Sequence, residues 1–224
     1  MKKIKRFILD MLIKLLRSKN AGIAFFRAHK EKKVFPIILG IIRRISPYTS
    51  DAEMFHIASM VLAAGKIEGD MAEVGVAYGA TAKIISTFKG NKELHLFDTF
   101  DGVPFVSKED DPSIKVGVCK TSLEFVQKNL EGENNVKFYK GIFPATASSV
   151  SDRRFAFVHL DVDVYQSTKD ALEFFYPRLN RGGILLSHDY SYYGGVKKAF
   201  DDFFADKLEP VLALCESQCL IVKL

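Results

Sequence analysis

The residues of this sequence best suited to chemistry are the acids of two short runs, His159-Leu160-Asp161-Val162-Asp163 and Ser187-His188-Asp189-Tyr190. Each follows an apolar stretch that reads as a β-strand. In open α/β sheets, ligands bind beyond the carboxyl ends of the strands, near the point where strand order reverses. Asp161 and Asp189 are therefore expected to face one crevice. Close carboxylates repel unless a proton or cation lies between them. A divalent metal held by Asp161 and Asp189 is the expected resolution, with His188 as a third ligand. Oxygen donors suit Mg²⁺, and an imidazole tilts the choice towards Mn²⁺. Asp163 reads equally as a ligand or as a cap for the helix after it.

A second segment, Glu73-Val74-Gly75-Val76-Ala77-Tyr78-Gly79, has the spacing ExGxxxG at a strand-to-helix turn. Glycine permits a sharp turn and a close backbone approach to a ligand. A dinucleotide enzyme favours GxGxxG, because a pyrophosphate sits on the helix N-terminus. Here an acid opens the loop. Glu73 would repel pyrophosphate but could bind the ammonium of a methionine moiety, which points to S-adenosylmethionine (SAM). Asp98 ends the next strand, 25 residues on, where a carboxylate can accept hydrogen bonds from ribose hydroxyls. Gly75, Tyr78, Gly79 and Thr81 on the loop, and Thr99 after Asp98, complete the expected cofactor contacts. A nicotinamide-dependent oxidoreductase is the alternative that the loop disfavours.

These residues need a scaffold. From residue 51 the chain alternates helical and strand signals. Asp51 is placed to cap a helix carrying Met54, Phe55, Ile57, Ala58, Val61 and Leu62. Strands are expected at 69–76, 93–97, 136–139, 155–160 and 184–187, and helices at 80–88, 122–129, 168–176 and 196–204. Pro177 and a Gly182-Gly183 turn separate the third of these helices from the fifth strand. Two apolar runs, 211–214 and 219–222, end the chain with no helix between them. Alternating β and α units imply a parallel sheet. The whole pattern is an α/β, Rossmann-like class I methyltransferase fold: a seven-stranded, mostly parallel sheet ending in an antiparallel hairpin. The polar segment 105–119 is long for a connection and reads either as a lid or as a surface excursion.

Net charge is +5 over 224 residues. Residues 1–45 hold 13 Lys/Arg against Asp10 and Glu31, a balance of +11, so the remainder carries −6. A nucleic-acid partner is not expected of an acidic domain. Residues 1–19 place Ile4, Phe7, Ile8, Met11, Leu12, Leu15 and Leu16 on one helix face. That helix can pack on the domain or a partner subunit, or lie on an anionic membrane surface. A further apolar stretch, 34–42, reads as a second arm helix interrupted by Pro36. The division expected is a basic helical arm over 1–48 and a catalytic domain over 49–224. Cys119, Cys215 and Cys219 form no CxxC pair and read as free thiols of a reducing, cytoplasmic compartment.

The chain also resembles the macrocin O-methyltransferase (TylF-like) family. The resemblance rests on "GDMAEVGVAYGATA", "LHLFDTFDGVP", "VKFYKGIFPAT", "FVHLDVDVYQSTKDALEFFYPRLNRGGILLSHDY" and "GVKKAFDDFF", which run from residue 69 to 204. It implies a SAM-dependent, metal-assisted O-methyltransferase acting on a hydroxyl of a sugar or other small natural product; separately, the amphipathic arm makes a homo-oligomer the expected assembly. It also implies that Asp161, the first acid of L-D-x-D, is both metal ligand and general base. The family's later D-D-Y maps onto His188, Asp189 and Tyr190, so a histidine stands where an acid is usual. Val162 stands where glycine is usual. The alternative within the fold is a metal-independent SAM enzyme acting on another nucleophile.

Overall fold

In a computed structural model, residues 33–45 and 47–224, together with Met11, are described. The chain divides into two units, residues 1–32 and 33–224. The sheet and the helices that cover it belong to the second. The amphipathic helix expected over residues 1–19, with its membrane contact, lies outside the described residues apart from Met11. No described helix is long and apolar enough to cross a membrane.

Among the described residues from 33 onward, the first elements are helices α1 (Val34–Ile45) and α2 (Asp51–Ala64). Pro36 does not interrupt α1. It lies in the first turn, where no intrahelical N–H bond is lost. Val34, Ile38, Ile41 and Ile45 are buried in the main core, so α1 belongs to the same compact unit as the sheet. The cap of α2 is Ser50 rather than Asp51. Glu53 at the third helical position completes a reciprocal capping box: Ser50 Oγ accepts the Glu53 N–H at 3.2 Å, and Glu53 Oε2 accepts the Ser50 N–H at 3.0 Å.

Strands β1 (Asp70–Val74), β2 (Leu94–Asp98), β3 (Val136–Lys140), β4 (Phe155–Leu160), β5 (Leu179–Ser187), β6 (Leu212–Ala213) and β7 (Cys219–Val222) form one sheet in the order β3-β2-β1-β4-β5-β7-β6. β1 to β5 are parallel, and β7 runs antiparallel to both β5 and β6. This is the mostly parallel sheet with a closing hairpin that the alternating pattern predicts. Every residue of β4 is buried, as expected of a strand covered on both faces.

Helices α3 (Ala80–Phe88), α4 (Leu123–Asn129), α5 (Tyr165–Phe175) and α6 (Gly194–Phe204) complete the layers. One apolar core joins α1, α2 and α3 to Met71, Leu94, Leu96, Phe157 and Leu186. The other joins α5 and α6 to Val74, Phe97, Val158, Leu160 and Ile221.

Two departures from expectation have clear causes. Gly182 and Gly183 lie inside β5 rather than in a turn before it. The Gly182 N–H donates to the Lys223 carbonyl at 2.7 Å and the Lys223 N–H to the Gly183 carbonyl at 2.9 Å, so pairing with the C-terminal strand overrides the local turn signal. Helix α5 begins at Tyr165, earlier than its apolar period implies. Its first N–H is accepted at 2.6 Å by Asp110 Oδ1, from a loop 55 residues upstream.

Candidate active site

Strand order reverses between β1 and β4, and the candidate residues lie at this switch point. Register brings them there. Glu73 is opposite His159, and Val74 opposite Leu160, which is opposite Ser187. Two backbone bonds continue the ladders past the strand ends: the Asp161 N–H donates to the Val74 carbonyl at 2.9 Å, and the His188 N–H to the Leu160 carbonyl at 2.8 Å.

A cavity of about 780 Å³ opens over these ends. Gly75, Tyr78, Thr81, Asp98, Thr99, Asp161, His188 and Asp189 all line it. Glu73 and Gly79 do not. Glu73 is fully buried behind the loop, with Oε1 2.7 Å from His159 Nδ1 and Oε2 without a partner. Burial drives its carboxyl well above the usual range, against the smaller pull of the Thr81 hydroxyl. Gly79 (φ +83°) takes the left-handed conformation just ahead of α3, with Val126 beside it.

Gly75 has a more demanding position. Its φ is +84°, and a Cβ there would stand 1.8 Å from the Asp161 carbonyl oxygen. The glycine is required first by the crossing of the loop over the end of β4. Asp98 clamps the same loop: Oδ2 accepts the N–H groups of Val76 (2.6 Å) and Ala77 (2.9 Å), and Oδ1 accepts that of Phe100 (2.6 Å). Thr99 Oγ1 donates to the Gly102 carbonyl at 2.8 Å, fixing the next turn.

At the other end of the cavity, the carboxylates of Asp161, Asp163 and Asp189 have oxygens within 4.8 Å of one another. Burial, then Asp161 and Asp189, push the Asp163 carboxyl up to about 8. Burial, then Asp161, push Asp189 up to about 7. Burial likewise raises Asp161. Asp163 and Asp189 both have left-handed backbone, φ +62°, a conformation that Asp tolerates better than most residues. The sequence leaves Asp163 between cap and ligand. Its carboxylate is with the other two, and the side chain that caps α5 is that of Asp110.

His188 stands behind this trio, among polar neighbours on both sides of its ring. Nδ1 lies 2.8 Å from His159 Nε2 and 3.8 Å from Asp161 Oδ2. Nε2 lies 3.2 Å from Gln218 Nε2 and 3.7 Å from Glu53 Oε2. Burial opposes its charge, but Asp161 and Glu53 outweigh burial and push the imidazole up to about 9. His159, fully buried, is held well below its ordinary range and stays neutral.

Glu53 is a site residue that the sequence pattern does not reveal. Besides capping α2 and facing His188, its Oε1 accepts the Ser217 hydroxyl at 2.6 Å and the Ser217 N–H at 3.2 Å. The capping-box spacing Ser50-x-x-Glu53 is a visible signal for the helix start, but not for contact with residues 164 positions away.

Segment 105–119, read as a lid or a surface excursion, is anchored at several points. Val103, Ile114 and Val164 form a small core beneath it, Asp110 anchors it on α5, and Val118 and Cys119 form part of the cavity wall.

A profile of the family described as macrocin-O-methyltransferase (TylF) matches residues 52–215. The chain belongs to the TylF family. Among its relatives, the 8-demethyl-8-(2,3-dimethoxy-alpha-L-rhamnosyl)-tetracenomycin-C 4'-O-methyltransferase of Streptomyces olivaceus is 33% identical over 147 residues, covering 58% of this chain and 56% of the relative. The mycinamicin III 3''-O-methyltransferase of Micromonospora griseorubida is 28% identical over 142 residues, covering 55% and 56%. The chain spans about half the length of these relatives. The TylF-family chain also superposes on the O-methyltransferase NovP with a TM-score of 0.70 at 21% identity, covering 97% of this chain and 98% of NovP. For the calicheamicin methyltransferase CalS11 the TM-score is 0.67 at 15% identity, covering 92% and 96%. The fold is that of the class I methyltransferases.

Proposed function

We propose that this protein is a SAM-dependent O-methyltransferase acting on a sugar hydroxyl of a glycosylated small molecule, with a divalent metal held by Asp161, Asp163 and Asp189. The observation that carries the reading is the convergence of the glycine loop and the three carboxylates on one cavity. The names of the tetracenomycin and mycinamicin relatives support a sugar hydroxyl as acceptor.

The residues fit both groups. For SAM, the loop at Gly75 passes close over β4, Asp98 and Thr99 line the wall at the end of β2, and the buried Glu73 Oε2, which has no hydrogen-bond partner, is an unmet acceptor behind the loop. For a metal, three clustered oxygen donors, whose carboxyls burial raises above their usual range, form a suitable hard-cation set. His188, with His159 and Asp161, forms a second group that could hold a metal; protonated, as Asp161 and Glu53 favour, it serves in this reading as a fixed countercharge.

When bound, SAM supplies an electrophilic methyl group, and a divalent cation lowers the pKa of a coordinated hydroxyl. The chain's own work is positioning and proton removal. Asp161 keeps 26% of its side chain open to the cavity, where a carboxylate oxygen can accept the hydroxyl proton. His188 stabilises the ionised form of Asp161. Asp98 holds the loop that shapes the cofactor side.

The test is methyl transfer from isotope-labelled SAM to a panel of nucleotide-linked and aryl 6-deoxyhexosides, with and without Mg²⁺ or Mn²⁺. Transfer by the native protein and its loss in Asp161→Asn supports the reading. Binding of NAD but not SAM in a thermal-shift titration overturns it.

A further inference from the structure

Tyr192 presents a large ring to solvent, 73% exposed, yet it lines the cavity. A single exposed aromatic is ordinary on a protein surface. Three features set this one apart.

The first is its rigid mounting. The Asp189 carbonyl accepts N–H bonds from both Tyr192 (3.1 Å) and Tyr193 (2.8 Å). Ser217 holds the start of the turn through its hydroxyl, which accepts the Asp189 N–H at 3.2 Å, and through its carbonyl, which accepts the Ser191 N–H at 3.0 Å. The Tyr192 ring packs edge-on against Tyr193, with centroids 4.9 Å apart. Tyr193 in turn packs on the small core of Val103, Ile114 and Val164. The ring is therefore carried by the same turn that carries the Asp189 carboxylate.

The second is its side of the cavity. Tyr192 follows β5, whereas Asp98 ends β2 and Thr99 follows it, with β1 and β4 between them. A cofactor on the Asp98 side leaves Tyr192 facing whatever occupies the carboxylate side.

The third is its company. Ser191, Glu216 and Ser217 line the same end of the cavity. A flat apolar face bordered by short polar groups is complementary to a pyranose, which has an apolar C–H face and an equatorial rim of hydroxyls. Tyr suits this task because it offers a rigid, amphipathic contact area with little rotamer entropy to lose.

We propose that Tyr192 is the platform on which the acceptor's sugar ring stacks, with Ser191 and Glu216 facing ring hydroxyls. Tyr192 is thus a specificity-determining residue for cyclic sugar acceptors. The inference rests on the O-methyltransferase reading above. Stacking on a face remote from the reacting oxygen contributes equally in the ground and transition states, so it acts on KM and not on kcat.

The experiment uses the full chain with labelled SAM and the best acceptor from the 6-deoxyhexoside panel, comparing Tyr192→Ala with Tyr192→Phe. The expected result for Tyr192→Ala is a KM raised about tenfold with kcat within about twofold. Tyr192→Phe, which keeps the ring, stays near the native KM, and both variants keep the native Kd for SAM by calorimetry. An unchanged KM in Tyr192→Ala, an equal loss in Tyr192→Phe, or a weakened SAM Kd overturns the platform while leaving the methyltransferase reading intact. Failure of the native protein to methylate any sugar of the panel overturns that reading, and the platform with it.

Discussion

His159 Nε2 lies 2.8 Å from His188 Nδ1, and on its far side His159 Nδ1 lies 2.7 Å from Glu73 Oε1. One neutral imidazole thus joins the acid behind the cofactor loop to the histidine behind the carboxylate trio. With His188 protonated, its Nδ1–H donates to His159, and His159 donates its remaining proton to Glu73.

His159→Phe fills the volume but removes the partner of Glu73 Oε1 and leaves His188 with an unmet donor. A buried unsatisfied group costs about 1–3 kcal/mol. The expected loss is therefore about 3 kcal/mol in urea unfolding at an unchanged m-value.

The carboxylate trio makes a prediction with opposite signs in two conditions. Asp163→Asn removes repulsion without disturbing the left-handed backbone, since Asn also tolerates φ +62°. In metal-free buffer at about pH 9, where the Asp163 carboxyl is ionised, the variant is expected to be more stable by about 1 kcal/mol, or about 2–4 °C in a chain of this size. Adding Mn²⁺ raises the melting temperature of the native protein and not that of the variant. Differential scanning calorimetry with and without chelator checks both signs.

Gly75→Ala meets the Asp161 carbonyl at 1.8 Å and demands φ +84° of a residue with a Cβ. The left-handed conformation alone costs about 1–2 kcal/mol. Because the clash displaces Asp161, methyl transfer is expected to fall more steeply than stability. A variant as active as the native protein would remove Gly75 from any role at the β1–β4 junction.

Glu209 supplies a pH dependence far from the site. Burial works to raise its carboxyl, but hydrogen bonds from Lys223 (2.7 Å) and Tyr176 (2.7 Å) prevail and hold it down to about 2, from an ordinary 4.5. A lowered folded-state pKa means that the unfolded chain binds the extra proton. The stabilisation is full above pH 4.5 and is lost as pH falls towards 2. Glu209→Gln is accordingly expected to melt well below the native protein at about pH 7, with the two converging near about pH 2.

The glycine loop, the L-D-x-D run and the closing hairpin are legible because each is written in consecutive residues: a turn needs local glycine, and a strand end is marked by where the apolar run stops. The rest is hidden in pairs distant in sequence. Gly195 is one case. A Cβ there would approach Asp110 Oδ1 to 2.4 Å, so this glycine makes room for the anchor of a loop far earlier in the chain. Nothing local in either segment announces the other. His188 is similar. Its place in the D-D-Y pattern suggests a ligand, but nothing local shows that its ring also lies against His159 from β4 and against Gln218 and Glu53, far apart in the chain.

The three cysteines have unequal surroundings. Cys219 is buried in β7, and its thiol is pushed beyond the ordinary range by burial. Cys119, in the cavity wall, is pushed up to about 11 by burial and by Asp163. Only the thiolate reacts with alkylating agents, so both are chemically quiet at neutral pH. Cys215 is exposed and sits next to Glu216, at the end of the cavity where Tyr192 stands. The native chain thus carries a ready attachment point for a fluorophore beside its acceptor end, and occupancy of that end could be followed by emission without engineering a new thiol.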